Sequence, residues 1–133
     1  MCAGNSKKNK PKALIIEDET AQAYALQARL SVEGIESIVA SSGRDGLSLV
    51  YKEKPDIVVL DVLLPGFDGL DILKEIKEED DKEIKNIPVL ILSQLAQKEN
   101  IDEGLKLGAS EYLVKSETKL DDVIKKVKGI LNL

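Results

Sequence analysis

The chain has 133 residues, 43% of them apolar and 32% charged, with a formal net charge of −5. That length supports one domain with a real core. No apolar run approaches the roughly 20 residues needed to span a bilayer, and no secretory signal pattern opens the chain. Histidine is absent and cysteine occurs once, at Cys2, which excludes a disulfide framework and an imidazole proton shuttle. Any bound metal must then be held by oxygen, which points to a hard cation such as Mg2+. Residues 1–12 carry Lys7, Lys8, Lys10 and Lys12 and no acid, leaving about −9 on the rest. A domain that acidic is a poor nucleic-acid binder. Residues 1–11 read as a disordered basic leader, 12–133 as the folded domain, and a cytoplasmic protein without membrane contact is the simplest expectation.

In chain order, Ala13 to Ile16 is a short apolar run ended by Glu17, Asp18 and Glu19, and predicts a buried strand. Thr20 to Glu33 predicts a helix with Ala21, Ala23, Leu26 and Leu30 inward, stopped by Gly34. Ile35 to Ala40 predicts a second strand. Ser41 or Ser42 is placed to cap a helix over 44–54, with Leu47, Val50 and Tyr51 inward and Gly46 as a weak point. Pro55 breaks the chain. Ile57 to Leu60, with two central valines, predicts a strand buried on both faces. Asp61 follows at its carboxyl end, and Pro65, Gly66 and Gly69 shape a turn.

Leu70 to Lys82 predicts a helix through Leu70, Leu73 and Ile76. Its outer acids, Glu75, Glu78, Glu79, Asp80 and Asp81, read as a solvated face and frayed end. After Pro88, Val89 to Leu92 predicts another strand, with Ser93 directly behind it. Lys98 to Leu107 predicts a weaker helix with Ile101, Gly104 and Leu105 inward. Glu111 to Val114 is the last strand, followed by Lys115. The final helix holds Leu120, Val123, Ile124, Val127, Ile130 and Leu131 on one stripe, and Thr118 with Asp121 resembles a capping box.

Five strand–helix units in strict alternation imply an α/β fold, a parallel sheet with right-handed crossovers and helices on both faces. Ligands of such sheets bind outside the carboxyl ends of the strands. At that edge the sequence places Glu17 and Asp18 after the first strand, Asp61 after the third, Ser93 after the fourth and Lys115 after the fifth. Each alone has a plainer reading: acids favouring a helix N-terminus, a turn aspartate, a turn hydroxyl, a surface lysine. Together they are the parts of one site. Crowded carboxylates repel unless positive charge intervenes. A divalent cation and Lys115 supply that charge, and Ser93 supplies a hydroxyl donor. Such a set can hold a transferring phosphoryl group, with Asp61 as the nucleophile that forms an aspartyl-phosphate.

These segments, I-I-E-D-E, D-V-L-L-P-G-F-D-G, L-I-L-S and G-A-S-E-Y-L-V-K, resemble the receiver domain of two-component response regulators, over residues 12–133. The resemblance implies a flavodoxin-like (βα)5 fold with strand order 2-1-3-4-5. It implies that Asp61 accepts phosphate from a sensor histidine kinase or phosphotransfer protein. Glu17, Asp18, Asp61 and the backbone carbonyl of Leu63 would bind Mg2+ (or Mn2+). Ser93 would bond the phosphoryl oxygen, Lys115 would pair with the phosphoryl group, and Tyr112 would be the aromatic switch that moves inward with Ser93. The downstream protein would dock on the face of the fourth helix, fifth strand and fifth helix. Beyond self-catalysed transfer and loss of phosphate, the chain is expected not to be an enzyme.

Three departures stand out. Ser116 replaces the proline that often follows the lysine, and a trans bond is expected there because a cis bond before a non-proline costs about 3–4 kcal/mol. Gln94 stands where a small residue is usual, so its bulk narrows the approach to Asp61 or its amide meets the phosphoryl group. Leu63 and Leu95 occupy positions that influence hydrolytic water, and their apolar side chains imply slow loss of phosphate. The competing reading is a receiver-like protein-binding module that is not phosphorylated. An aspartate-nucleophile phosphatase is discounted, because position 63 carries leucine where a second acid is needed.

Overall fold

The computed structural model describes residues 10–133, so residues 1–9 of the proposed leader lie outside it. Five strands, Lys12–Ile16 (β1), Glu36–Ala40 (β2), Ile57–Leu60 (β3), Val89–Ser93 (β4) and Glu111–Val114 (β5), form one parallel sheet in the order β2-β1-β3-β4-β5. Hydrogen bonding to β2 reaches back to Pro11, whose carbonyl accepts from Glu36 N. Helices Thr20–Val32 (α1), Gly43–Glu53 (α2), Gly69–Lys77 (α3), Lys98–Lys106 (α4) and Leu120–Ile130 (α5) complete the expected flavodoxin-like alternation.

The strand pleat divides the core in two, because successive side chains point to opposite faces. Ala13, Ile15, Ile57, Val59 and Leu90 pack against Ala23, Leu26 and Leu30 of α1 and Val123, Ile124 and Val127 of α5. Leu14, Ile16, Val58, Leu60, Val89 and Ile91 pack on the opposite side against Val50, Ile72, Leu73 and Ile76. Both faces being covered explains the unbroken apolar runs of β1 and β3.

Several expectations are corrected. Ala21 is exposed, outside the inner stripe of α1. Tyr51 also turns outward; its hydroxyl reaches Glu79 Oε2 at 2.8 Å and Glu75 Oε2 at 3.1 Å. Gly46 is buried, and a Cβ there would lie 2.6 Å from Ile16 Cδ1. What it lacks in helix propensity it returns as close helix–sheet approach. The helix expected to reach Lys82 ends at Lys77, and a separate turn, Lys82–Lys85, begins with Asp81 Oδ1 accepting from Glu83 N. That break lets Ile84 and Ile87 turn into the core, and Lys77 Nζ ties it by donating to the carbonyls of Lys85 and Ile87. Leu105 is 44% exposed; the inner line of α4 runs through Gly104 and the partly buried Ile101 and Leu107. Thr118 caps nothing on α5: its hydroxyl donates to Val114 O, and Lys119 holds the N-cap position. The 3-10 turn Lys115–Glu117 aims Thr118 back at β5.

Candidate functional site

Parallel pairing brings the strand ends level. Ile16 is opposite Leu60, Leu60 is opposite Ile91, and Ser93 is opposite Val114. The residues that follow therefore meet at one edge, and the backbone holds them there. Glu17 N donates to Ala40 O, and Asp61 N donates to Ile16 O at 3.0 Å. The structure brings Glu17, Asp18, Asp61 and Lys115 together. Carboxylate oxygens of Glu17, Asp18 and Asp61 all lie within 4.8 Å of one another.

Glu17 and Asp61 are 6% and 5% exposed, and Asp18 is half-buried. Charged groups are seldom buried without partners, and here each oxygen of the two buried carboxylates has one. Lys115 Nζ donates to Asp61 Oδ2 at 2.9 Å and also to Glu17 Oε1. The second oxygens are met by the backbone: Leu63 N donates to Asp61 Oδ1 at 2.9 Å, and Glu19 N to Glu17 Oε2 at 3.1 Å. The alternative role for Glu17, as an acid favouring the N-terminus of α1, is not what its side chain does; it faces the lysine.

The electrostatics follow from burial and crowding. Burial pushes the Glu17 carboxyl up, and the Asp61 charge adds to that; Lys115 and the Glu19 N–H oppose it without cancelling it. For Lys115, burial alone lowers the ammonium, but hydrogen bonds from Glu17 and Asp61 outweigh it and hold it above its ordinary range. The lysine is thus charged at neutral pH and offsets one of the three negative charges. What remains is an all-oxygen, net-negative cluster, a donor set that fits a hard divalent cation.

The expected trans linkage at Lys115–Ser116 holds, since no peptide bond among the described residues is cis. Ser93 is fully buried, and its Oγ accepts from Leu95 N at 3.3 Å. Tyr112 is buried too, and its hydroxyl donates to Leu95 O at 2.8 Å; burial pushes its phenol up. Leu63 stands 48% exposed at the rim. Gln94 is exposed and borders a cavity of about 290 Å³ that Asp61, Lys115, Gln22 and Thr118 also line.

Sequence reasoning missed two features here. Leu63 meets Asp61 through its N–H, in a two-residue hairpin, Leu63–Leu64 with Phe67–Asp68, that the turn signals at Pro65 and Gly66 only hinted at. The Lys115–Glu17 pair joins residues 98 apart, and nothing local announces it.

Comparison with known proteins gives a consistent picture. Residues 13–128 match the response regulator receiver domain family. Over 108 residues the chain is 41% identical to the "Probable transcriptional regulator ycf27" of Galdieria sulphuraria, covering 81% of this chain and 40% of that protein. It is 39% identical over 107 residues to the transcriptional regulatory protein AfsQ1 of Streptomyces coelicolor, covering 79% of this chain and 44% of the relative. The chain thus spans less than half the length of these relatives. Among solved structures, the receiver domain of Francisella response regulator 1452 superposes with a TM-score of 0.83 at 33% identity, covering 92% of this chain and 98% of that one. No helix among the described residues is long and apolar enough to cross a membrane.

Proposed function

The chain belongs to the response regulator receiver domain family, and from that premise we propose that Asp61 accepts a phosphoryl group from a histidine kinase or phosphotransfer protein. The observation that carries this reading is the shared grip of Lys115 on Glu17 and Asp61. It keeps Asp61 buried, anchored at both oxygens and available as a nucleophile at the strand edge. A carboxylate oxygen attacks phosphorus, the bond to the donor imidazole nitrogen breaks, and its electron pair stays on the imidazole. Lys115 then donates to the new phosphoryl oxygens, and Ser93 exchanges its hold on Leu95 N for a bond to the same group. Glu17, Asp18, Asp61 and the Leu63 carbonyl would hold Mg2+. Bound there, the cation would supply positive charge to the phosphoryl oxygens.

The signal is a local change of charge that biases the packing of the β4–α4 loop. Tyr112 in β5 and that loop border the face of α4, β5 and α5, where a downstream protein would read it. The relatives named as transcriptional regulators are longer than this chain, so a DNA-directed output would reside in another segment or another protein.

Incubated with Mg2+ and acetyl phosphate, the protein is expected to gain the mass of one phosphoryl group, and D61N to gain none. No gain, with acetyl phosphate or with any cognate kinase, would leave the binding-module reading in its place. The exposed Leu63 and partly buried Leu95 shield the acyl phosphate from water. Loss of the group, followed by the same mass measurement, is therefore expected to take longer than seconds; decay within seconds would count against that role.

A further inference from the structure

Leu95 is held from two sides. Its N–H goes to Ser93 Oγ at 3.3 Å, and its carbonyl accepts from the Tyr112 hydroxyl at 2.8 Å. The hydroxyl can reach that carbonyl only while the Tyr112 ring lies flat under α4, and α4 leaves room for it at one position, Gly104. A Cβ on Gly104 would stand 3.0 Å from Tyr112 Cδ2, 3.3 Å from Tyr112 Cε2 and 2.9 Å from Ile91 Cδ1. Glycine inside a helix costs about 1 kcal/mol relative to alanine, so its presence in the buried line of α4 calls for a packing reason, and the ring supplies one.

We infer that Gly104 is a positioning residue: it seats the Tyr112 ring, and through the Tyr112 hydroxyl it holds Leu95, and with it the Ser93–Gln94–Leu95 loop, against the Asp61 site. The seat is already filled with no phosphoryl group at Asp61. Inward placement of Tyr112 is therefore built into the packing of α4 and does not depend on modification. The consequence for phosphoryl acceptance rests on the function proposed above; the seat itself does not.

The test uses the whole chain, isotopically labelled, with no phosphodonor. Tyr112 ring resonances and Leu95 amide exchange are compared in wild type, G104A, Y112F and the double variant I91V with G104A. G104A is expected to move the Tyr112 ring toward solvent-exposed shifts and to speed Leu95 exchange about tenfold, as local opening does. Y112F keeps the ring and loses the hydroxyl, so it is expected to speed Leu95 exchange while its ring stays seated. The I91V double variant is expected to keep the G104A effect. An unmoved Tyr112 ring in G104A, or an effect abolished by I91V, would overturn the inference by making Ile91 the neighbour that matters. Should G104A fail to fold, Y112F decides: unchanged Leu95 exchange overturns it. An intact seat in a chain that takes no phosphate would sink the proposed function alone.

Discussion

K115M is expected to destabilise the metal-free protein by about 3 kcal/mol, because removing one partner of a buried ion pair leaves the other charges uncompensated. Two effects compete. Methionine relieves the desolvation of the ammonium and restores some packing. Against that, Glu17 and Asp61 lose their shared donor while 6% and 5% exposed, with Asp18 close by. The second effect wins, since two buried carboxylates remain where one cation held them. The loss also depends on pH in a definite sense. Glu17 sits above its ordinary value in the fold because of burial, and Lys115 is one of the groups restraining that rise. A carboxyl raised in the fold binds more protons there than in the unfolded chain, so stability falls as pH rises from its unfolded value through its folded value. Without Lys115 the folded value climbs further, and the penalty is larger at neutral than at mildly acidic pH. In the wild type the raised Lys115 contributes fully below its unfolded value and is lost only as pH rises through its folded one. Denaturant midpoints measured across pH, with and without Mg2+, check this. Mg2+ and E17Q are each expected to recover part of the loss. A K115M protein as stable as wild type, or one that gains stability as pH rises, would contradict the account.

The second large effect is G69A. A Cβ on Gly69 would lie 2.3 Å from Val62 Cα and 2.9 Å from Asp61 O, both backbone atoms. No rotamer change relieves that overlap. Gly69 N also donates to Val62 O at 3.1 Å, closing the hairpin onto the start of α3. Displacing Val62 shifts Asp61 on one side and Leu63, which donates to Asp61 Oδ1, on the other. The expected cost is about 3 kcal/mol, the upper end of ordinary overpacking, together with slower phosphoryl acceptance. G129A is the matched control: nothing lies within 4 Å of a Cβ there, so it is expected to gain about 0.5 kcal/mol from helix propensity. Midpoints of thermal or denaturant unfolding for the two variants decide it. A G69A protein within about 0.5 kcal/mol of wild type, the range of a neutral surface change, would refute the backbone collision.

The strand runs of β1, β3 and β4 and the stripe of α5 were legible in the sequence because burial on two faces, or on one helical face, writes a short-range pattern. So was the membership of the site, since parallel topology carries whatever follows each strand to one edge: Glu17, Asp18, Asp61, Ser93 and Lys115 needed only the alternation to be placed. Local signals misled where tertiary contacts outweighed them. Tyr51 has the spacing of an inward residue but turns to the carboxylates of α3. Thr118 has the spacing of a cap but bonds Val114. Composition and order along the chain thus determined the fold and which side chains meet. Only the folded structure decided how they meet: which oxygen Lys115 holds, which N–H anchors Asp61, and that Gly46, Gly69 and Gly104 are close-approach points. Those contacts join residues far apart in sequence, and their distances arise from packing whole elements together, which leaves no periodic trace in the chain.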